Sequence, residues 1–374
     1  MQPGPQPVYY VAGTTTAHPH AVTQLNLLHG LQARLQSLAS TEDLEGFSLK
    51  QMFSEVFKRR SEDDVEDYLL VGTTKTTPPI DVIQTGWPKP WLFFRVLAVF
   101  VVTYVVFTFT LLHLPGAANL IPAVMILGAF AVPLTTLTFF FEMNTPRNVS
   151  VHRLVTLFLF GAVVSLIFAL VGYNIPVLGS MGAVAAGIVE EVAKLLTVVI
   201  VVRGIKYRYI LNGLLFGATV GAGFAAFETA GYALNQGLLT GSNLHAGVVA
   251  MLQVLRERAF LTPWGHVAWT AIAAGALWRV KGARPFNPSM LFDSRFIKAF
   301  LIPVVLHTIW DLPASLQLPF DGNYILSALV SWYVVFGLVQ QGLRQVKEEQ
   351  KTDLRATMQR IETSMQPAGS VAVS

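Results

Sequence analysis

From residue 91 the chain is written in long apolar runs separated by short polar breaks, a pattern of bilayer-crossing helices rather than of strands. Crossing the hydrocarbon takes about 20 apolar residues in a helix. Eight runs reach that length, at about 91–113, 120–141, 151–172, 180–203, 209–235, 259–280, 296–313 and 322–343. The expected fold is all-α: a polytopic membrane protein of about eight transmembrane helices. The basic residues test this count. Of 26 Lys and Arg, all but Lys194, Arg256 and Arg258 lie in the N-terminal region, around the loops joining even to odd spans, or in the C-terminal segment. The positive-inside rule then makes both termini cytoplasmic.

Three segments follow from this pattern. Residues 1–90 form a cytosolic N-terminal region, 91–343 an eight-helix transmembrane domain, and 344–374 a cytosolic tail. Within the first, residues 1–40 are rich in Pro, Gln, Thr and Ala and are expected to be loosely ordered. Residues 41–70 carry an amphipathic stripe of Leu44, Phe47, Leu49, Met52, Phe53, Val56 and Phe57 that predicts one helix, and Thr73–Pro90 reads as a Pro-rich linker. A solvated appendage is expected here, with a partner-binding role as the alternative. Trp264, Trp269, Trp278 and Trp310 are expected to be interfacial or lipid-facing.

Composition narrows the class further. The chain is 53% hydrophobic and 13% charged, too little charge to coat a soluble globule of 374 residues. Its net charge of +4 does not indicate a nucleic-acid partner, because the cations follow the loops. With no cysteine, disulfides, thiolate catalysis and Cys-ligated metals are excluded. No signal-type apolar core precedes residue 91, so the first span is expected to act as the targeting signal.

Polar residues inside the spans carry the chemistry. An ionised side chain at the bilayer centre costs about 2.5–3.5 kcal/mol, so it must be paired, solvated or functional. Glu190, Glu191 and Lys194 lie in span four, Glu228 in span five, His266 in span six, and His307 with Asp311 in span seven. Helical spacing puts Gly182, Ala186, Glu190 and Lys194 on one face, and His307 four residues before Asp311. Gly213, Gly217 and Gly221 form a small face on span five that lets a neighbouring helix come close. In the expected topology the polar groups share one level in the outer half of the membrane. A carboxylate there can take a proton from water while imidazoles polarise a carbonyl or hold an oxyanion. Alternatively, Glu228, His266 and His307 match the ligand set of a catalytic zinc with one open position, with Glu190 or Glu191 as base. A metal-free glutamate mechanism is the other reading. No Ser, Thr or Lys has the setting of an activated nucleophile.

On the pieces Glu190-Glu191-x-x-Lys194, Phe224-x-x-x-Glu228, His266, and His307 in "LHTIWD", the sequence resembles the PrsW family of intramembrane proteases. It is more distantly similar to the CAAX prenyl protease and bacteriocin-processing proteins and to the APH subunit of γ-secretase. The pieces cover about residues 180–313 and appear in the family's order. The resemblance implies a multi-pass protease of the bacterial plasma membrane, cutting a membrane-anchored substrate such as an anti-sigma factor near its extracytoplasmic side. It also implies a metalloprotease, whereas the CAAX relatives resemble metal-free glutamate proteases and carry His where this chain has Glu228. Catalytic roles then fall on Glu190, Glu191, Glu228, His266 and His307, with Lys194 and Asp311 supporting.

Each residue also has a non-catalytic reading. Glu190 and Glu191 could be a structural pair neutralised by Lys194, Glu228 a protonated link between helices, the histidines packing residues, and Asp311 an interfacial helix end. For the whole chain the rivals are a proton- or ion-coupled transporter, which calls for inverted repeats not seen here, and a non-catalytic scaffold of the APH kind.

Overall fold

The structure, a computed structural model, describes residues 44–202, 206–240 and 243–365, together with Gly30, Arg34, Leu35 and Ser37. The expectation of a loosely ordered 1–40 falls almost wholly outside them. Among the described residues every regular element is a helix. We label the long ones α1 (Leu92–His113), α2 (Ile121–Met143), α3 (Val151–Tyr173), α4 (Ala183–Val201), α5 (Ile210–Leu239), α6 (Leu244–Leu261), α7 (His266–Lys281), α8 (Ser294–Trp310) and α9 (Gly322–Met365). Five helical segments are long and apolar enough to cross a membrane: Leu92–His113, Ala117–Met143, Val151–Tyr173, Ile210–Leu239 and Gly322–Ile361. The other three expected spans correspond to α4, α7 and α8. Their 19, 16 and 17 residues are shorter, and α4 holds three charges.

α5 is the axis of the bundle, buried along Ile210–Ala226. The glycine stripe accounts for this. A Cβ on Gly213 would meet the Trp278 side chain, one on Gly217 the backbone of Thr270 and Ala271, and one on Gly221 the His266 carbonyl. Three missing side chains thus let α7 lie directly against α5. On another face, Gly223 meets the Phe158 carbonyl of α3. α1, apolar all round and almost unburied, sits at the periphery.

One end of the bundle is tied by polar groups. The buried Glu142 carboxylate accepts from the backbone N–H of Trp91, Leu92 and Phe93 at 2.6, 2.8 and 2.8 Å, capping α1. Asn212 Nδ2 donates to Asn144 Oδ1 at 2.9 Å and to Asn148 Oδ1 at 2.6 Å, fixing the start of α5 to the α2–α3 turn. Trp278 Nε1 and Lys281 Nζ both donate to the Tyr207 carbonyl, at 2.9 and 3.1 Å.

Several expectations need correction. Residues 41–70 do not form one helix: within the described part there are two short ones, Leu49–Met52 and Glu62–Leu69. The second has its own capping box between Ser61 and Asp64, which starts a new helix after the basic run Lys58–Arg60. Nor is the region a free appendage. Met52, Val71 and Ile83 belong to the main core, and Gln350 Nε2 of α9 donates to the carbonyls of Ile80 and Ile83 at 2.7 and 2.8 Å. Burial pushes the Tyr68 phenol up to about 12, with the Glu142 charge adding to it. Span six does not start near 259. Pro263 and Gly265 break the chain there, leaving α6 as a separate helix and His266 as the first residue of α7. Trp269 and Trp278 are buried, not lipid-facing, because α7 packs against its neighbours on every side.

Candidate active site

α4 supplies three of the polar groups, and its geometry divides them. Glu191 and Lys194 are fully buried, and Lys194 Nζ donates to Glu191 Oε1 at 2.6 Å. Glu190, on the adjoining face, has Oε2 at 3.8 Å from the same ammonium. Its other oxygen accepts from the Tyr173 hydroxyl at the end of α3, at 2.7 Å. Oε2 of Glu190 is buried without a hydrogen-bond partner.

α7 and α8 bring the imidazoles. His266 lies 5.0 Å from His307, ring centre to ring centre. His307 Nδ1 lies 2.9 Å from Glu191 Oε1, so Glu191 as acceptor places a proton on Nδ1. Nε2 of the same ring faces Glu190 Oε2 at 3.6 Å and Asp311 Oδ2 at 3.3 Å. Trp269 stacks on the His307 ring at 4.7 Å, holding its plane. Asp311 is both helix end and site residue: it follows the last residue of α8 and still reaches His307. His266 Nε2 stands 3.1 Å from Glu228 Oε2, and its Nδ1 stands 3.0 Å from Lys194 Nζ and 4.0 Å from Glu190 Oε2.

Glu228 has a second partner that sequence reading missed. Arg258, near the end of α6, pairs with its Oε2, and Arg258 Nε donates to Thr229 Oγ1 at 2.9 Å. A signal was present, since Arg256 and Arg258 are exceptions to the charge alternation. Tyr173 was also missed; a tyrosine at the end of an apolar helix looks like any interfacial aromatic.

The structure therefore joins all seven singled-out residues into one network. Three carboxylates meet two fixed cations, so one acid is left uncompensated, and a second once Asp311 is included. Such a site attracts a cation. Donor geometry gives the same indication: Glu190, His266 and His307 each offer one ligand atom, all within 4.8 Å of one another. Together with the orphaned Glu190 oxygen, this set fits a divalent metal such as zinc. It differs from the expected set in its carboxylate. Glu190 takes the place given to Glu228, whose Oε2 is held by Arg258 and His266. A groove of about 430 Å³ between α3 and α5 opens onto Glu190 and Glu228.

Comparison with known families agrees with this chemistry. The family model described as PrsW family intramembrane metalloprotease matches residues 150–339, just over half of the chain. The chain belongs to the PrsW family. No curated protein and no solved structure matches it significantly. As a PrsW protein it is an intramembrane protease with several apolar helices, which bears out the family resemblance read from the double-glutamate and histidine pieces. The match begins at the start of α3 and ends within α9, so it takes in α4, α5, α7 and α8 and leaves α1, α2 and the N-terminal region outside.

Proposed function

We propose that this chain hydrolyses a peptide bond of a membrane-anchored, anti-sigma-factor-like substrate near its extracytoplasmic side, in a cell membrane of bacterial type. The observation that carries the reading is the convergence of Glu190, His266 and His307 from three helices beside a groove open to the outside of the bundle. In the proposed topology α1–α5, α7, α8 and α9 make eight spans with both termini cytoplasmic. His266 and Asp311 then fall at the extracytoplasmic ends of their helices, and Glu228 in the outer half of the longer α5.

The residues divide the work as follows. Water adds through its oxygen to the scissile carbonyl carbon, the C–N bond breaks, and the amine leaves with a proton. Glu190, His266 and His307 would hold a divalent cation, which when bound lowers the pKa of a water molecule and polarises the carbonyl. Glu191 is a positioning residue, accepting from His307 Nδ1 as ligand histidines require. Glu228 orients His266 from the opposite ring nitrogen and, lining the groove, takes the proton from water. Lys194 offsets the buried carboxylates. One observation favours a metal-free reading: Lys194 Nζ already lies 3.0 Å from His266 Nδ1, where it competes with a cation. In that case Glu190 is the base and His307 serves the oxyanion.

One sample answers both questions: metal content and cleavage of a single-span substrate, wild type beside Glu190→Gln. About one ion per chain, with activity lost on chelation and in the variant, is expected. Cleavage that survives exhaustive chelation in metal-free protein would move the mechanism to glutamate alone. Full activity of Glu190→Gln would remove the site altogether. Reporters active only in the cytoplasm, fused to each end, test the topology, and a silent end would overturn eight spans.

A further inference from the structure

The glycines of helix α5 differ in what surrounds them. Gly213, Gly217, Gly221 and Gly223 sit where another helix leaves no room for a Cβ. Gly231 is different: a Cβ there would meet nothing within 4 Å. Glycine inside a helix is a poor helix former, so its presence in open space needs a reason other than packing. The reason lies beside it. Gly231 lines the groove that opens onto Glu190 and Glu228, between Leu170 and Tyr173 of α3 and Tyr232 of α5. Near its floor the walls are apolar (Ala169, Phe224 and Phe227), and its acidic groups are the two carboxylates of the site.

We infer that this groove is the cleft for the substrate chain next to the scissile bond, and that Gly231 sets the size of the side chain admitted. The inference rests on the proteolytic reading and names the substrate class: an uncharged, apolar residue at that position, with acidic side chains refused by Glu190 and Glu228. Access is lateral, between α3 and the last turns of α5. The groove is continuous with the reacting groups, so a chain lying in it passes directly over Glu190. A 30-residue α5 is about 45 Å long, so Gly231 stands about 30 Å from its first residue, at the far margin of the hydrocarbon.

The test uses the full-length chain in liposomes with single-span peptides whose juxtamembrane segment is alanine except for one position, varied among Ala, Leu, Phe and Asp. Wild type should cleave the Leu and Phe peptides at least about tenfold faster than the Asp peptide. Gly231→Leu should lower cleavage of Leu and Phe peptides about tenfold more than cleavage of the Ala peptide, with Gly231→Ala intermediate. Because the position is open and leucine is the better helix former, these variants should fold. An equal fall for every peptide, or no change in preference, would overturn the inference. A readout that needs no cleavage separates it from the proteolytic reading. A photo-crosslinker at Leu170 or Asn235 in the Glu190→Gln chain should capture the juxtamembrane segment, and one at Val99 on α1 should not. Capture at Val99 alone overturns the groove. If wild type cleaves no peptide, the proteolytic reading fails by itself and the crosslinks still decide the groove.

Discussion

Glu191 and Lys194 form the deepest ion pair in the described residues, and a double-mutant cycle should expose it. Both side chains are fully buried and 2.6 Å apart. Removing one partner of a buried pair typically costs about 3–5 kcal/mol, because the other charge is stranded. Two neighbours soften this. Glu190 Oε2 lies 3.8 Å from Lys194 and can take up the ammonium, while His307 can take up a stranded Glu191. The unfolded helices also stay in the bilayer and find partners there, which reduces measured couplings in membrane proteins. Glu191→Gln and Lys194→Met should therefore each destabilise by about 3 kcal/mol. The double variant should fall short of their sum by about 2 kcal/mol, since it strands neither charge. The assay is reversible unfolding in mixed micelles of all four proteins. Additivity within about 0.5 kcal/mol would mean the two groups do not share a hydrogen bond, and the pairing of Glu191 with Lys194 would be refuted. Cleavage should stay at least about tenfold down in the double variant, because His307 has lost its anionic acceptor.

Three further outcomes follow from the geometry. Tyr173→Phe deletes the donor to Glu190 Oε1 and should lower kcat about tenfold to a hundredfold with little change in thermal midpoint; unchanged kcat would remove Tyr173 from the site. Gly217→Leu should block close approach of α5 and α7 and abolish accumulation in the membrane, while Gly231→Leu accumulates normally; equal accumulation of both would refute the packing account. Arg258→Ala frees Glu228 and should lower kcat while Arg258→Lys recovers part of it, and a loss confined to KM would make Arg258 a substrate contact instead.

The polar core was legible because charge inside an apolar helix has few structural uses. Glu190, Glu191, Lys194, His266 and His307 were found on that ground alone, and the i, i+4 pairing of His307 with Asp311 appears at 3.3 Å. The glycine face of α5 was legible for a similar reason, since Gly every four residues in a helix is costly unless a neighbour needs the space. What sequence could not show were contacts across helices not known to be neighbours. Arg258 reaches Glu228 because α6 packs against α5, and Glu142 caps α1 from 50 residues away. The burial of Trp269 and Trp278 was hidden too. A helix that is apolar all round has no periodic stripe to separate a core-facing ring from a lipid-facing one. The N-terminal stripe misled in the opposite direction, because Met52 and Val56 are buried while Phe57 is exposed, on a chain that breaks between them and Ser61.

Hydrolysis inside a bilayer needs water at the scissile bond, and the lengths of the helices indicate how it arrives. In the proposed topology α7 and α8, with 16 and 17 residues, rise about 24 and 26 Å, short of a hydrocarbon core of about 30 Å. The ends that fall short are those carrying the chemistry: His266 opens α7, and Asp311 follows the last residue of α8. Helix ends leave backbone groups without intrahelical partners, and these retain water where a helix middle would exclude it. The α7 start also turns the positive end of its dipole toward the level of Glu190 and Glu228, a favourable placement for negative charge. A longer neighbour compensates for the shortfall, since α5 continues from Glu228 to Leu239, and α3 ends at Tyr173 beside the site. On that topology the site would be a wet notch at the rim of an apolar bundle. A full-length α7, continuous through Pro263 and Gly265, would bury His266 in a dry helix middle and close the notch. The break that sequence reading overlooked is, on this account, what admits the reacting water.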